Sequence, residues 1–324
     1  MRVIITGGTG LVGRGLARSL AQDGHEVIVL SRSPERGAGK LPPGVRVEAW
    51  DARTAKGWGE LAEGAGAVVN LAGENLAGGT FAALLTRRWT AAQRQQILLS
   101  RVRAGEAVTQ AVDEARVKPA VLIQASAVGY YGDRGDEILD EAAGPGSDFA
   151  AGVCRAWEAS TQPVEEMGVR RAVVRTAASV LSLESGSFPF MLLPYRLFVG
   201  GPLGSGRQWF SWIHHLDEVR GIRFLIENPQ ASGAFNLCAP EPLTNRAFGR
   251  TLAQVLRRPS WLPVPAFALR LVFGAKAEIL LGSQRQVPKR LQELGFQWQF
   301  PEVEAALREL LGKPAQPQGL RRAA

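Results

Sequence analysis

The chain has 324 residues, 46% of them hydrophobic and 21% charged, with a formal net charge of +8. That length buries a sizeable core in one large α/β domain or in a large and a small one, and the composition excludes a disordered or fibrous chain. The basic excess is spread as scattered arginines with no long run outside the tail, which argues against nucleic-acid binding and leaves a surface that attracts small anions.

No unbroken apolar run reaches membrane-spanning length, and no charged leader with an apolar stretch precedes the first strand. Cys154 and Cys238 stand in no CxxC or metal-ligand spacing. The expectation is no metal site, no membrane, and free buried thiols in a reducing cytoplasm.

Residues 2–6 form a short apolar run that reads as a buried strand. It breaks into Gly7-Gly8-Thr9-Gly10 and Gly13, while Val12, Leu16 and Leu20 recur at helical spacing as far as Gly24. Strand, glycine turn and helix in that order give a GxxGxxG spacing its meaning as a dinucleotide site. The first glycine allows the tight turn, the second lets backbone approach a pyrophosphate, and the third lets helix and strand pack closely. The helix start adds free N–H groups and the positive end of its dipole. Gly7, Thr9, Gly10, Leu11, Val12 and Gly13 are the expected cradle.

Further strands are expected at residues 25–30, 45–50, 67–72, 120–126 and 171–176, with helices at 91–115 and 147–167. Strands alternating with helices predict an α/β fold, a Rossmann-type doubly wound parallel sheet over residues 1–182. Beyond Ser182 the chain turns glycine- and tryptophan-rich (GGPLGSGRQWFSWIHHLDEV). A short strand at 234–238 follows, then helices at 244–256, 266–281, 287–294 and 301–311. They predict a smaller, mainly helical C-terminal lobe over residues 183–312, from which a strand or helix can cross back to the first domain. Residues 313–324 have the composition of a disordered tail.

NAD sites place Asp or Glu about twenty residues beyond the glycines, on the ribose 2′-OH. This chain offers Ser31 and Arg32 there. A guanidinium neutralises a 2′-phosphate and a hydroxyl hydrogen-bonds it, so the expected cofactor is NADP(H). Asp51, closing the third strand, suits an adenine contact or a turn cap equally. NLAG, Asn70 to Gly73, ends the fourth strand at the sheet's carboxyl edge, so Leu71, Ala72 and Gly73 are expected beside the cofactor.

GGTGLVG, NLAGEN, SAVGYYG, GGPLGSGRQWFSWIH and VPKRL together resemble the extended short-chain dehydrogenase/reductases. Within them the chain is most similar to an atypical branch of NAD-dependent epimerase/dehydratase-like proteins with a C-terminal domain of unknown function, whose plant and cyanobacterial members are linked with plastid or cell division. The resemblance extends to about Leu311. It implies an NADP(H)-binding domain followed by a substrate lobe, with Arg101 reaching the cofactor and Val180 touching its nicotinamide half. Where that family usually reads Arg-Thr-Gly, this chain reads Arg175-Thr176-Ala177.

The superfamily's Ser, Tyr and Lys are not matched. Ser126 stands one place early, with Ala127 at the serine position, and Phe149 and Val153 fall where the Tyr and Lys of YxxxK are expected. Neither replacement transfers a proton. By subtraction, Tyr130 and Tyr131, in a glycine-flanked loop at the ligand edge, become the candidate proton donors; the alternative is that one ring packs in the core and the other floors the pocket. Gln208, Trp209, Trp212 and His214 could line a substrate pocket, or simply fill the core beneath a glycine-rich loop. His214 with Asp217 equally suits a structural role, and Arg155 and Glu158 suit surface contacts.

Two functions are consistent with these residues. One is an NADP(H)-dependent oxidoreductase or epimerase with a small carbonyl or nucleotide-sugar-like substrate. The other is a non-catalytic NADP(H)-responsive regulatory or scaffold protein.

Overall fold

The computed structural model describes residues 1–74 and 89–314. Its first half alternates strands and helices: β1 (Arg2–Thr6), α1 (Leu11–Gln22), β2 (Glu26–Ser31), α2 (Pro34–Ala38), β3 (Arg46–Ala49), β4 (Ala67–Asn70), α3 (Ala91–Glu114), β5 (Val121–Ala127), β6 (Ile138–Leu139), α4 (Phe149–Ala159) and β7 (Arg170–Thr176). The second half carries β8 (Ser179–Leu181), α5 (Phe188–Arg196), β9 (Trp209–Phe210), β10 (Trp212–His214), α6 (His215–Glu227) and β11 (Gly233–Leu237). It ends with β12 (Leu243–Thr244), α7 (Asn245–Leu256), α8 (Ala266–Phe273), α9 (Ala277–Leu281), β13 (Arg285–Gln286), α10 (Lys289–Glu293) and α11 (Val303–Leu310).

Seven strands form one sheet in the order β11-β7-β5-β4-β1-β2-β3, and every neighbouring pair is parallel. Parallel strands need helical crossovers, which cover both faces and explain the near-continuous apolar strands. The pleat sorts β1 between the two layers. Val3 and Ile5 join Leu16 and Leu20 of α1 and Ile222 and Leu225 of α6, whereas Ile4 meets Ala104, Ala107 and Val108 of α3. From β1 the chain builds outward to β2 and β3, then returns to add β4 and β5 on the other side. That reversal leaves a crevice at the carboxyl edge, where open α/β sheets bind ligands.

The sheet is not completed within residues 1–182. β11 pairs with β7 from Gly233 to Leu237, and α6 packs on α1, with Val219 seated against Gly15. The remaining lobe closes around Leu181, Phe188, Trp212, Phe248, Leu252 and Leu307, contributed largely by α5, α7 and α11. Two predicted helices are shorter than their periodicity suggests. That of 147–167 stops at Ala159, and a 3₁₀ turn, Gln162–Glu165, carries Pro163. That of 266–281 breaks at Gly274, whose φ of +57° cannot continue an α-helix. The expected tail lies, from residue 315, outside the described residues. Among the described residues no helix is long and apolar enough to cross a membrane.

The third glycine of the motif sets how closely α1 meets the loop. A Cβ on Gly13 would lie 2.5 Å from Gly8 Cα and 2.6 Å from Gly7 O, both backbone atoms with little freedom to retreat. Gly13→Ala should therefore lower stability by about 1–3 kcal/mol, the usual range for overpacking. Thermal unfolding checks this, and an unchanged midpoint would mean that the loop yields without cost.

Candidate functional site

A cleft of about 240 Å³ opens at the carboxyl edge of the sheet, walled by Gly7, Gly10, Leu11, Val12 and Gly13 on one side. Leu71, Ala125, Ser126, Val174 and Thr176 at the strand ends, Trp157 of α4 and Glu218 of α6 complete it. Gly7 has φ +68°, and a Cβ there would stand 2.7 Å from Leu71 O, so glycine is required for both conformation and space. Gly10 N–H donates to Gly7 O at 3.0 Å and closes the loop. Gly10 is also the N-cap of α1, and no side chain caps that helix. The first-turn N–H groups of α1 are thus left to the cleft, the arrangement that suits a phosphate.

Behind the loop, a line of buried polar groups crosses three strands. Thr6 Oγ1 donates to Asn70 Oδ1 at 2.6 Å, and Asn70 Nδ2 donates to Gln124 Oε1 at 2.9 Å. Ala72 N donates back to Thr6 Oγ1 at 3.3 Å, which fixes the exit of β4. Gly73 lies under Arg101: a Cβ would be 3.1 Å from its Cζ. Arg101 donates to Glu74 O and Ile97 O and stacks 5.0 Å above the Trp157 ring. It therefore adjoins the cleft through Trp157. Val180 lies near the glycine loop, because Gly186 sits between its carbonyl and Leu11.

Thr9, Ser31 and Arg32 gather at the end of β2. Thr9 Cγ2 and Ser31 Oγ both approach Gly37 of α2, and Ser31 Oγ accepts from Ser33 N. Arg32 is exposed. Asp51 resolves as a turn residue, since its carboxylate accepts from Arg53 N, Thr54 N and Thr54 Oγ1 at 2.8–2.9 Å.

The tyrosine pair requires correction. Neither phenol lines the cleft. Tyr131 is fully buried, donates to Asn236 Oδ1 at 2.7 Å and accepts from Arg175 Nη1 at 3.1 Å. Burial pushes its pKa up to about 12, against the opposing pull of Arg175. A phenol held this way is a core group and no proton donor to a ligand. Tyr130 lies under the Arg175 guanidinium, 3.5 Å from Cζ to ring centre, and faces a second hollow beside Arg155, Glu158 and Arg171. Arg175 itself is held by both oxygens of Glu158 at 3.0 Å, and Ser126 Oγ donates to Glu158 at 2.6 Å. Glu158 is thus the anchor of a partly buried network.

The four lobe residues expected around a substrate, Gln208, Trp209, Trp212 and His214, do not line the cleft either. Trp212 is 1% exposed, in the lobe's own core. His214 is fully buried: Nδ1 accepts from Leu216 N as the cap of α6, so Nε2 carries the proton and donates to Glu309 at 3.0 Å. Burial pushes its pKa down to about 3, so it stays neutral. Asp217 accepts from Gln299 N and Phe300 N, which makes the His214–Asp217 pair structural. Gln208 donates to Leu203 O and, more weakly, to Leu280 O, while Trp209 Nε1 donates to Asp136.

Trp157, Thr176 and Glu218 are cleft residues that the motif reading omits. One signal for Glu218 was present. It falls on the apolar stripe of α6, four residues before Ile222 and seven before Leu225, where an acid is out of place.

A Rossmann sheet with a glycine-walled crevice at its switch point defines a dinucleotide-binding α/β protein. Residues 3–238 match the NAD dependent epimerase/dehydratase family, and residues 264–310 match a domain of unknown function, DUF1731. The chain belongs to the NAD dependent epimerase/dehydratase family. It is 37% identical to the epimerase family protein YfhF of Bacillus subtilis over 312 residues, covering 96% of this chain and 98% of that one. A homolog of epimerase family protein SDR39U1 from Arabidopsis thaliana, described as chloroplastic, is also 37% identical, with 96% and 87% covered. Human SDR39U1, solved with NADPH, superposes with a TM-score of 0.83 at 34% identity, covering 96% of this chain and 99% of that one.

Removing the Tyr131 hydroxyl leaves Arg175 Nη1 short of an acceptor in the core. Tyr131→Phe should destabilise the protein by about 1–3 kcal/mol, while Tyr130→Phe, which keeps its ring under Arg175, should cost under about 1 kcal/mol. Chemical denaturation of both variants checks the contrast.

Proposed function

We propose that the chain is an NADP(H)-dependent oxidoreductase or epimerase acting on a small carbonyl or nucleotide-sugar-like substrate. The observation that carries this reading is the uncapped start of α1 at the glycine-walled cleft. Leu11, Val12 and Gly13 would hold the pyrophosphate through backbone N–H groups, with Leu71 and Ala72 along its flank and Val180 toward the nicotinamide. When bound, the nicotinamide supplies or accepts a hydride. Ser31 and the exposed Arg32 suit a 2′-phosphate, and the NADPH found with human SDR39U1 supports the same choice. The free, buried state of Cys154 and Cys238 agrees with a cytoplasmic setting.

A second reading, an NADP(H)-responsive protein without turnover, is favoured by one observation: no tyrosine or lysine lines the cleft among the described residues. Phe149 instead packs against Trp89, with Arg94 over its ring, and Val153 is buried. Incubation with NADPH and a panel of aldehydes, ketones and nucleotide sugars separates the two. Oxidised cofactor with a matching reduced product supports a reductase, an epimerised sugar with no net change in cofactor supports an epimerase, and saturable binding with neither product across the panel supports the sensor.

NADPH should bind at least tenfold more tightly than NADH, as one charge-assisted hydrogen bond contributes about 1.5–3 kcal/mol. Arg32→Asp should cancel or reverse that preference; equal affinities in the native protein would remove Arg32 from the site. Gly10→Val should abolish NADPH binding and leave the circular dichroism spectrum unchanged. A Cβ there would stand 3.2 Å from Gly7 O, so the loop has to give by only a few tenths of an ångström, while the pyrophosphate would lose its place.

A further inference from the structure

Glu218 is the acidic residue among those walling the cleft, and it is 1% exposed. Its neighbour Val219 seats against Gly15, which brings the N-terminal half of α6 alongside that of α1. Thr176 Oγ1 donates to Glu218 Oε1 at 2.7 Å. Oε2 is buried with no hydrogen-bond partner among the described residues. An ionised carboxylate in that position leaves charge on a buried oxygen that no described protein group donates to, whereas a neutral carboxyl leaves only one O–H unpaired.

Among the described residues no cation compensates. From α1, Arg14 is engaged by Glu184 and Thr9 O, and Arg18 is exposed. From β7, Arg175 is held by Glu158 and Tyr131, Arg171 by Glu165 and Thr161, and Arg170 by carbonyls near the far end of α6. From β10, His214 is neutral and bound to Glu309, and on α6 itself His215 contacts Leu181 O while Arg220 contacts Asp217. β5 and β8 bring no charged side chain, and Cys238, just after β11, is a buried thiol. Burial accordingly pushes the Glu218 pKa up to about 8, with the Thr176 hydroxyl opposing.

We propose that Glu218 is a proton-bearing positioning residue of the cofactor site: its carboxyl stays neutral beneath the bound dinucleotide and fixes Thr176, so that ionising Glu218 and binding the anionic pyrophosphate exclude one another. The inference rests on the NADP(H) reading above. A carboxylate beside a pyrophosphate is a like-charge pair in a desolvated cleft, and each raises the cost of the other. Protonation is thereby linked to cofactor affinity.

Two measurements test it, each on the full chain and on Glu218→Gln. The first needs no cofactor. The unfolded Glu218 loses its proton near its ordinary value of about 4.3, while the folded one keeps it until about pH 8. The unfolded state therefore holds fewer protons in that window, and the folded protein loses stability as pH rises through it. The melting temperature of the wild type should fall behind that of Glu218→Gln increasingly from pH 5 to pH 8. A constant gap overturns the proposal.

The second is NADPH titration at pH 7 and pH 9. Wild-type affinity should fall about tenfold, the consequence of one pKa unit crossed. Glu218→Gln should bind equally at both, with the 2′-phosphate titrating alike in the two proteins. A widening stability gap with equal pH slopes of binding overturns the coupling alone. Wild-type protein that binds no NADPH at either pH overturns both the coupling and the cofactor reading, while the stability gap still reports on the carboxyl.

Discussion

The close approach of backbone to backbone around β1 is the constraint on which the rest depends. Gly7 rests on the Leu71 carbonyl, and Gly13 rests on Gly8, with no side chain between. That contact sets the height of α1 over the sheet and therefore where α6 can lie on α1. It also places the uncapped first turn beside the strand ends. The packing that makes the core tight at this point is the same packing that makes a phosphate-sized opening next to it.

Two polar networks then set what the opening can do. Thr6, Asn70 and Gln124 link β1, β4 and β5 beneath the cleft, and Arg175 links Glu158 to Tyr131 beyond it. Asn236 and Gln286 extend the second network to β6 and β13, with Gln286 Nε2 donating to Asn236 Oδ1 and Arg175 O. Buried polar groups are tolerated because almost every one finds a partner. Glu218 Oε2 is an exception, and it stands at the cleft.

The features legible in the sequence are those with local causes. Residues 2–20 announce strand, turn and helix through spacing that needs no distant partner, and the strands of the large sheet to residue 176 follow from apolar runs bounded by turn residues. The lobe was less legible because its order comes from contacts far apart in the chain. β8 pairs with β10, and β6 with β13, as two- and three-residue strands too short to show a period. Tyr131 looked available because its loop leaves the ligand edge, yet Asn236, more than a hundred positions away, holds its hydroxyl. His214 and Trp212 share the same history: an aromatic-rich loop reads alike whether it lines a pocket or fills a core. The cofactor half of the site is local and legible; the proton half is assembled by tertiary structure.

The brace on α6 also bears on the order in which the protein can be made. Asp217 takes the backbone of Gln299 and Phe300, and His214 takes Glu309, so the helix that walls one side of the cleft is steadied by segments far along the chain. Synthesis delivers the glycine loop first and these braces near the end. While the chain is growing from the ribosome, β7 lacks β11 and its edge is unpaired. The partner for the free edge of β7 and the second wall of the crevice are thus both supplied by the final third of the chain.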